Sequence, residues 1–538
     1  MQTKYVVVLG SLMSGLGKGV VTSSILRMLD FYGYKVLPMK FDGYLNYDCG
    51  TMNPYQHGEV FVLDDSSEVD MDFGIYERFL NKSLTGDLSI TGGKLFSALT
   101  TKERKGDYLG ATVQIIPHLT NEIIERVESI GRSKNADVLV IEVGGTVGDL
   151  ENNYFIEAMR QLSLRHDVAF VNLTYIPELA AVGEQKTKPA QIGLRLLLQA
   201  GINPDFIVCR TSSRLTESTK EKLALFGNIG KDNIIDDPDL PTLYSLPLIF
   251  MEQGFDRLLI RKLGLTERKA DEERVAAWKG RVQRIISPKH QANIAVVGKY
   301  TTLHDSYASV KEALAHAGSA ADSGVNVSWI ESSDFEGQGA DYSRLHNIDG
   351  IIVTGGFGKR GTEGMINIIR YAREKGIPYL GICLGMQLMT VEYARNVAGL
   401  KDASSSEFDP SAKHKVIVML DSQKRITNKG GTMRLGAQEC SVVDRKSATY
   451  RLYGTATISE RHRHRYEFNN NYREALAKAG LRIPVVTKGK ELVEFIEWPH
   501  GFGIGTQAHP ELKSRLENPA PLFLGLVNAA MEHHVKKD

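Results

Sequence analysis

The chain has 538 residues, 42% of them hydrophobic and 24% charged, a globular composition that excludes a disordered, fibrous or collagen-like protein. Its 65 Lys and Arg balance 64 Asp and Glu, and a net charge of +1 supplies no global field to hold nucleic acid or an anionic membrane, so neither partner is expected. At roughly 150 residues per domain, the length suits three or four domains or two large ones. The cysteines, Cys49, Cys209, Cys383 and Cys440, are far apart and form no CxxC pair, which points away from a disulfide framework or a zinc site and toward a reducing, cytoplasmic setting. The apolar start Tyr5–Leu9 is too short for a signal-peptide core, and no apolar run approaches the roughly 20 residues that span a bilayer, so a soluble protein is expected.

In chain order, the first predicted strand is Tyr5–Leu9, followed by the Gly-rich stretch Leu9–Val20 and a helix. Backbone N–H groups at such a helix start converge on a phosphate, and Lys18 adds a point charge, which is P-loop chemistry. The strict motif is not met: Leu12 stands where its first Gly belongs, and Gly19 replaces the hydroxyl residue that would hold magnesium. Carboxylates elsewhere are then needed for the ion, which prefers hard oxygen ligands. Glu142, at the end of the predicted strand Val138–Ile141 and before Gly144-Gly145, is one candidate. Asp72 is the other, in a stretch where alternation predicts Glu68, Asp70 and Asp72 on one face; a solvated acidic surface explains that cluster equally well. Lys40 follows the predicted strand Val36–Met39 at the carboxyl edge where α/β proteins bind ligands. Further strands are predicted at Val168–Val171 and Phe206–Cys209, separated by Lys186–Gln191, a stretch that by itself reads as a solvated loop.

The strand–helix alternation stops between about Thr266 and Gln291 and restarts at Asn293–Gly298, continuing through Val325–Ile330, Ile351–Val353 and Tyr379–Ile382. This predicts an α/β protein of two doubly wound domains, 1–266 and 292–538, joined by a linker at 267–291. Ser404–Ser406 and Asn469–Asn471 read as loops. In the second domain Gly381-Ile-Cys-Leu-Gly385 follows a strand and precedes a helix, a nucleophile elbow with Cys in place of Ser. The helix N-terminus favours the thiolate, and neighbouring N–H groups, with those of Gly355–Gly358, can bind an oxyanion. His509-Pro-Glu511 downstream supplies a base and a group to orient it, so Cys383, His509 and Glu511 form a candidate nucleophilic set. The run Glu460–Arg465 reads poorly as a nucleic-acid patch, being isolated in a neutral chain.

Taken together these residues resemble the CTP synthase family, UTP:ammonia ligases with a fused class I glutamine amidotransferase domain. The resemblance runs almost end to end and is carried by Ser14–Gly19, Gly50–Val62, Tyr76–Phe79, Gly106–Gly110, Gly144–Asp149, Lys186–Pro189, Glu407–Pro410, Met433–Gly436 and Arg461–Glu467. It implies an N-terminal amidoligase domain and a C-terminal glutaminase domain that aminate UTP to CTP with ATP, through a 4-phosphorylated UTP, in pyrimidine biosynthesis. It implies ATP at Gly15, Leu16, Gly17, Lys18, Gly19, Val20, Lys40, Asp72, Pro238, Asp239 and Leu240, with Mg²⁺ at Asp72 and Glu142. UTP or CTP would be held by Ser14, Asp149, Leu150, Glu151, Lys186, Thr187, Lys188, Pro189, Ala190, Gln191 and Lys222. Glutamine would be held by Gly356, Leu384, Gly385, Met386, Gln387, Glu407 and Arg465, which turns the basic run into a carboxylate site. Ammonia would pass Pro54, His57 and Val60. GTP as allosteric activator, CTP as feedback inhibitor and a homotetramer also follow from the resemblance.

The chain departs from the family pattern at Gly43, usually Pro; at Asn152-Asn-Tyr154, usually Ser-x-Pro; at Ile192-Gly193, usually His-Ser; and at Ala508, usually aromatic. Two other readings stand beside this one. A related amidoligase acting on a carboxylate, such as a cobyric acid synthase, is opposed by Gly50–Val62 and Lys186–Gln191. A P-loop scaffold with an inactive amidotransferase domain is opposed by the complete Cys383, His509, Glu511 set.

Overall fold

The computed structural model describes residues 2–179, 183–299, 301, 303–337, 339–423, 430–489 and 492–537. It divides into two compact units, one comprising Met1–Asp48 with Ile75–Val282 and the other Cys49–Gly74 with Gln283–Asp538.

The first unit is built on a seven-stranded sheet in the order Ile234–Pro238, Phe206–Thr211, Val168–Tyr175, Lys4–Gly10, Val138–Val143, Val36–Asp42, Ser89–Thr91. Every pair is parallel. Strands covered on both faces must be apolar throughout rather than alternating, which is why Val6, Val7, Val8 and Val138–Ile141 are wholly buried. Because all strands run the same way, the loops after Gly10, Asp42, Val143, Thr211 and Pro238 emerge at one carboxyl edge. The charged stretch after Thr266 contains the helix Glu272–Ile286. Its Trp278 is fully buried against Phe31, Phe79 and Tyr244, and its indole N–H donates to Tyr244 O at 2.8 Å. The buried Arg27 guanidinium lies 4.4 Å from the Trp278 ring centre and 4.5 Å from that of Phe31.

The second unit carries a nine-stranded sheet in the order Ser323–Glu331, His290–Gly298, Gly350–Val353, Tyr379–Ile382, Gly503–Thr506, Val493–Glu497, Arg482–Thr487, Arg434–Val442, Thr457–His464. The first five strands are parallel and the remainder antiparallel. Alternation divides its side chains between two cores: Val297, Ile351, Val353 and Tyr379 enter one, Ile294, Val296, Ile352 and Leu380 the other. Ser404 and Ser405, expected in a loop, lie in a short strand, Ala403–Ser405, paired with His414–Met419. Among the described residues no helix is long and apolar enough to cross a membrane.

The segment Cys49–Gly74 precedes most of the first unit in sequence but folds with the second. It forms the helix Pro54–His57 and a hairpin of Phe61–Val62 with Glu68–Val69. The extended alternation expected through Asp72 ends at Val69: Asp72 opens a helix and its N–H is bonded to the Asp70 carboxylate at 2.9 Å. Glu68, Asp70 and Asp72 therefore do not share one strand face.

Candidate active sites

On the first unit, the strand Lys4–Gly10 feeds a loop with positive φ at Leu12, Gly15 and Gly17, and Gly17 caps the helix Lys18–Phe31. Lys18 folds back over Gly10, where an added Cβ would lie 2.9 Å from its Nζ, and donates to Gly145 O at 2.7 Å. Gly145 belongs to the loop after Glu142, so the expected phosphate lysine and the expected acid belong to adjoining structures. In the sheet, Lys40 stands directly beside Glu142. Their side chains are buried and 3.1 Å apart, and the second Glu142 oxygen accepts from Tyr76 OH. Asp42 Oδ1 is 4.0 Å from the same ammonium. Asp72 folds with the other unit, so the two acids expected at the metal belong to different units.

A 230 Å³ cavity beside this loop is lined by Gly15, Leu16, Gly17 and Val20 together with Pro238, Leu240, Leu243 and Leu246. The expected P-loop and the expected 238–240 stretch thus share one recess. Arg210 and Asp237 complete the lining and were not expected. Arg210 donates to Pro238 O at 2.8 Å and pairs with Asp239 at 2.5 Å, so Asp239 is engaged at the rim. Burial pushes the Asp237 carboxyl up to about 7, against the opposing charge of Arg210.

The remaining nucleotide candidates lie on loops, at a helix start and, for Lys222, within the helix Glu217–Gly227 of the same unit. Thr187 precedes the helix Lys188–Gln199, with Pro189 in its first turn, and Gln191 donates to Thr187 Oγ1 at 2.9 Å. Lys186 pairs with Glu184 at 2.5 Å. Ala190 and Thr187 are buried, whereas Ser14, Asp149, Leu150, Glu151, Lys188 and Lys222 are exposed. The helix Lys188–Gln199 packs on the loops after Gly10 and Val143: a Cβ on Gly193 would fall 2.5 Å from Ser11 Cβ, and one on Gly148 would fall 3.4 Å from Leu196 Cδ1.

The second unit holds a 510 Å³ cavity lined by Cys383, His509 and Glu511. Cys383 joins the strand Tyr379–Ile382 to the helix Leu384–Asn396 at φ 52°, ψ −100°, a strained corner that projects the thiol. The corner needs glycine on both sides, since a Cβ on Gly385 would lie 2.1 Å from Val353 O and one on Gly381 2.7 Å from Gly385 C. His509 Nδ1 and Glu511 Oε1 are 2.7 Å apart. Burial pulls the His509 imidazole down, but the Glu511 carboxylate and the Cys383 sulfur outweigh it and hold the group up to about 10. A Cβ on Gly355 would be 3.1 Å from His509 Cε1 and 3.7 Å from Cys383 Cβ, so this glycine sits against both.

Gln387 donates to Tyr466 O at 2.9 Å and to Gln507 Oε1 at 3.1 Å, and Gln507 in turn donates to Cys383 Sγ at 3.5 Å. Glu407 Oε1 accepts the Gly358 N–H at 2.8 Å, and burial raises its carboxyl above the usual range. Gly356, Arg465, Pro54 and Val60 line the cavity; Leu384, Gly385 and Met386 are buried in the elbow behind it, and His57 is exposed at the end of the Pro54–His57 helix. Gln507 and Lys299, both beside this cavity, were missed; Lys299 follows the predicted strand Asn293–Gly298 as Lys40 follows the predicted strand Val36–Met39, which was a usable signal.

Residues 4–265 match the family model described as CTP synthase N-terminus, and residues 302–529 match glutamine amidotransferase class-I. A protein named CTP synthase from Thermococcus gammatolerans is 50% identical over 98% of this chain and 99% of its own. The chain belongs to the CTP synthase family. A CTP synthase from Caldanaerobacter subterraneus is 48% identical over 98% of each chain, and one from Flavobacterium psychrophilum is 46% identical over 99% of this chain and 100% of its own. Among solved structures, the glutaminase domain of Trypanosoma brucei CTPS with bound acivicin is 38% identical, covering 45% of this chain and 94% of that one with a TM-score of 0.42.

Two of the expected departures from the CTP synthase pattern adjoin. A Cβ on Gly43 would fall 2.6 Å from Glu151 O, so a side chain there needs a different course for the loop leading to Tyr154. Asn152 fixes the present course by donating to Gly144 O and Thr146 O, both at 2.9 Å, and the buried Tyr154 packs on Phe96 and Phe155.

The family's basic run is largely internal. Arg461 is wholly buried, donates to Asp64 at 2.6 Å and to Leu512 O at 3.2 Å, and through its carbonyl accepts the His509 N–H at 2.8 Å. Arg463 bonds Glu68 at 2.9 Å and Gly50 O at 3.3 Å, while His462 and Arg434 flank the buried Glu494 at 2.8 and 2.7 Å. Two of the three arginines thus clamp the Cys49–Gly74 segment to the amidotransferase fold; Arg465 reaches Gln423 at 2.5 Å and Thr432 at 3.2 Å.

Proposed function

We propose a division of labour in which the second unit releases ammonia from glutamine at Cys383 and the first spends ATP to activate UTP. Membership of the CTP synthase family carries the overall reaction: the chain is a glutamine-hydrolysing ligase that converts UTP to CTP in pyrimidine biosynthesis. The observation that supports the residue assignment is the single cavity that joins Cys383, His509 and Glu511 to Pro54 and Val60.

In this reading Cys383 Sγ attacks the glutamine amide carbon while backbone N–H groups of the elbow and of Gly355–Phe357 take the oxyanion. His509 gives its proton to the departing ammonia, then takes one from the water that cleaves the thioester to glutamate, with Glu511 holding the ring in place. Gly356, Leu384–Gln387, Glu407 and Arg465 hold the glutamine. Ammonia leaves by way of Pro54, His57 and Val60.

On the first unit, the phosphate loop, Lys18 and Lys40 hold the ATP phosphates, and the recess between Gly15–Val20 and Pro238–Leu240 takes the adenosine. Its apolar floor of Leu16, Leu240, Leu243 and Leu246 suits a flat base. Ser14, Asp149–Glu151, Lys186–Gln191 and Lys222 hold UTP, or CTP as feedback inhibitor. The γ-phosphoryl passes to uracil O4, releasing ADP; ammonia then attacks C4, and O4 leaves with the phosphate. Glu142, an oxygen donor near the end of the strand Val138–Val143, fits a hard cation and would hold Mg²⁺, which supplies charge neutralisation to the triphosphate when bound; the resemblance adds Asp72 as a second ligand. GTP activation, a homotetramer and a cytoplasmic site of action complete the proposal.

The test is to incubate the full chain with ATP, Mg²⁺, UTP and glutamine, omitting each in turn, and to separate nucleotides and amino acids. CTP and glutamate formed together is the expected result. Glutamate without CTP under all conditions, or CTP without ATP, would overturn it.

A further inference from the structure

Lys299 follows the strand His290–Gly298 and is 1% exposed, yet its ammonium is not paired directly with a carboxylate in the manner of Lys40. It donates instead to two successive backbone carbonyls, Phe357 O at 3.3 Å and Gly358 O. The N–H of the Phe357–Gly358 peptide, which points the opposite way from its carbonyl, is taken by Glu407 at 2.8 Å. One peptide plane is therefore gripped at both poles by opposite charges. The stem of Lys299 also backs the next residue up: a Cβ on Gly356 would lie 3.4 Å from Lys299 Cδ and 3.6 Å from Leu384 Cδ2. Gly355, one residue further, lies against His509 and Cys383.

The backbone of Lys299 is fixed just as closely. Its N–H donates to Tyr307 OH at 3.0 Å, and its carbonyl accepts from Tyr55 OH at 3.1 Å and from Arg360. The Phe408 ring centre is 5.6 Å from the ammonium. A lysine in such a place is costly, since burying an ammonium disfavours its charge. Burial pulls this one down to about 8; Arg360 pulls the same way, while Glu407 and Glu336 oppose them. A methionine would fill the same volume at no such cost, so packing alone does not account for the charge.

We propose that Lys299 is a positioning residue for glutamine hydrolysis, locking the Phe357–Gly358 peptide and with it the Gly355–Gly356 backbone that borders Cys383. The proposal rests on reading Cys383 as the glutaminase nucleophile. Its physical basis is that oxyanion donors accelerate acyl transfer only if they are held in place before the charge develops, and a shift of about 1 Å costs on the order of 100-fold. Lys299 bonds carbonyls and reaches no reacting atom, so it acts through the turn.

The experiment compares Lys299→Met and Lys299→Arg with the unaltered full chain. Three rates are read: glutamate release from glutamine, CTP formation from ammonia, and alkylation of Cys383 by iodoacetamide. In Lys299→Met, kcat for glutamine hydrolysis is expected to fall about 30- to 100-fold with KM changed far less, ammonia-dependent synthesis to persist, and alkylation to stay within about twofold. Lys299→Arg should restore part of kcat and, because guanidinium does not titrate, move the alkaline limb of the glutamine-dependent pH profile, expected near pH 8 in the unaltered chain, to higher pH. Unchanged kcat in the Met variant overturns the proposal, as does a parallel loss of alkylation, which would mean a collapsed site. Failure of the underlying assignment reads differently: Cys383→Ala would then retain glutamine-dependent activity.

Discussion

Around Cys383 the chemistry is already assembled: thiol, imidazole and carboxylate line one cavity, His509 is bonded to Glu511, and Gln507, Gln387 and Lys299 are bonded around them. On the first unit the nucleotide candidates come from separate loops and two helices, and Ser14, Asp149, Glu151, Lys188 and Lys222 stand in solvent. The difference follows from what each site must bind. A thiol nucleophile needs a dry, preorganised oxyanion site, whereas triphosphates bring their own charge and can order lysine-bearing loops when they arrive. Substitutions in the first region should therefore cost turnover from glutamine, and substitutions in the second should cost both nitrogen sources.

The sharpest break is Cys383→Ala, which should reduce CTP formation from glutamine by ~10⁵-fold and leave formation from ammonia largely intact. Parallel loss with both sources would dissolve the contrast. Glu511→Gln comes next, at about 10³- to 10⁴-fold on glutamine hydrolysis. With Glu511 charged, the imidazolium of His509 persists to about pH 10; neutralising its partner lets the ring lose its proton at lower pH. Less imidazolium then stands beside the Cys383 sulfur at neutral pH, and iodoacetamide should alkylate Cys383 more slowly there; an unchanged pH dependence would free Glu511 from this role. Lys18→Ala tests the other side of the comparison, with an expected fall of ~10²- to 10³-fold from glutamine and ammonia alike. Appreciable ammonia-driven synthesis by that variant would remove Lys18 from the phosphate site.

Smaller effects test the segment that folds with the glutaminase. Asp64→Asn leaves the buried Arg461 without its carboxylate and should cost about 1–2 kcal/mol of stability, discounted because Asp64 is partly exposed. Since Arg461 also bonds the His509 N–H and Leu512 O, glutamine hydrolysis should fall about tenfold, read against a steady ammonia-dependent rate. Val60→Phe, at the cavity wall, should leave glutamate release within about twofold while the CTP formed per glutamate drops about fivefold. A constant ratio would show that Val60 does not control the route.

Much of this was legible from local pattern. The apolar runs at Tyr5–Leu9, Val138–Ile141 and Tyr379–Ile382 are strands because parallel sheets bury both faces, and the Gly-rich turns after them fall at the carboxyl edge. The nucleophile elbow was legible because only glycine fits beside Val353 O and Gly385 C. Arg210 and Asp237 at the recess beside Gly15–Val20 were not, since nothing in their spacing ties them to residues 15–20. The internal place of the run at 461–465 was not legible for a related reason: Arg461 and Arg463 are paired with Asp64 and Glu68, nearly 400 residues away in sequence, and a string of residues does not show its distant counter-charges.

The placement of Cys49–Gly74 has a consequence for how this protein can be taken apart. No single cut in the chain separates the glutaminase from the rest, because one of its surfaces is encoded near the N-terminus. A free-standing polypeptide of residues 292–538 would expose Arg461 and Arg463 stripped of Asp64 and Glu68, lose the Glu59 carboxylate that accepts from Ser309, and open the cavity wall where Pro54 and Val60 stand. The two activities are thus spliced together in the tertiary structure as well as joined end to end, and a lineage that split the gene between them would have to rebuild that wall from new sequence.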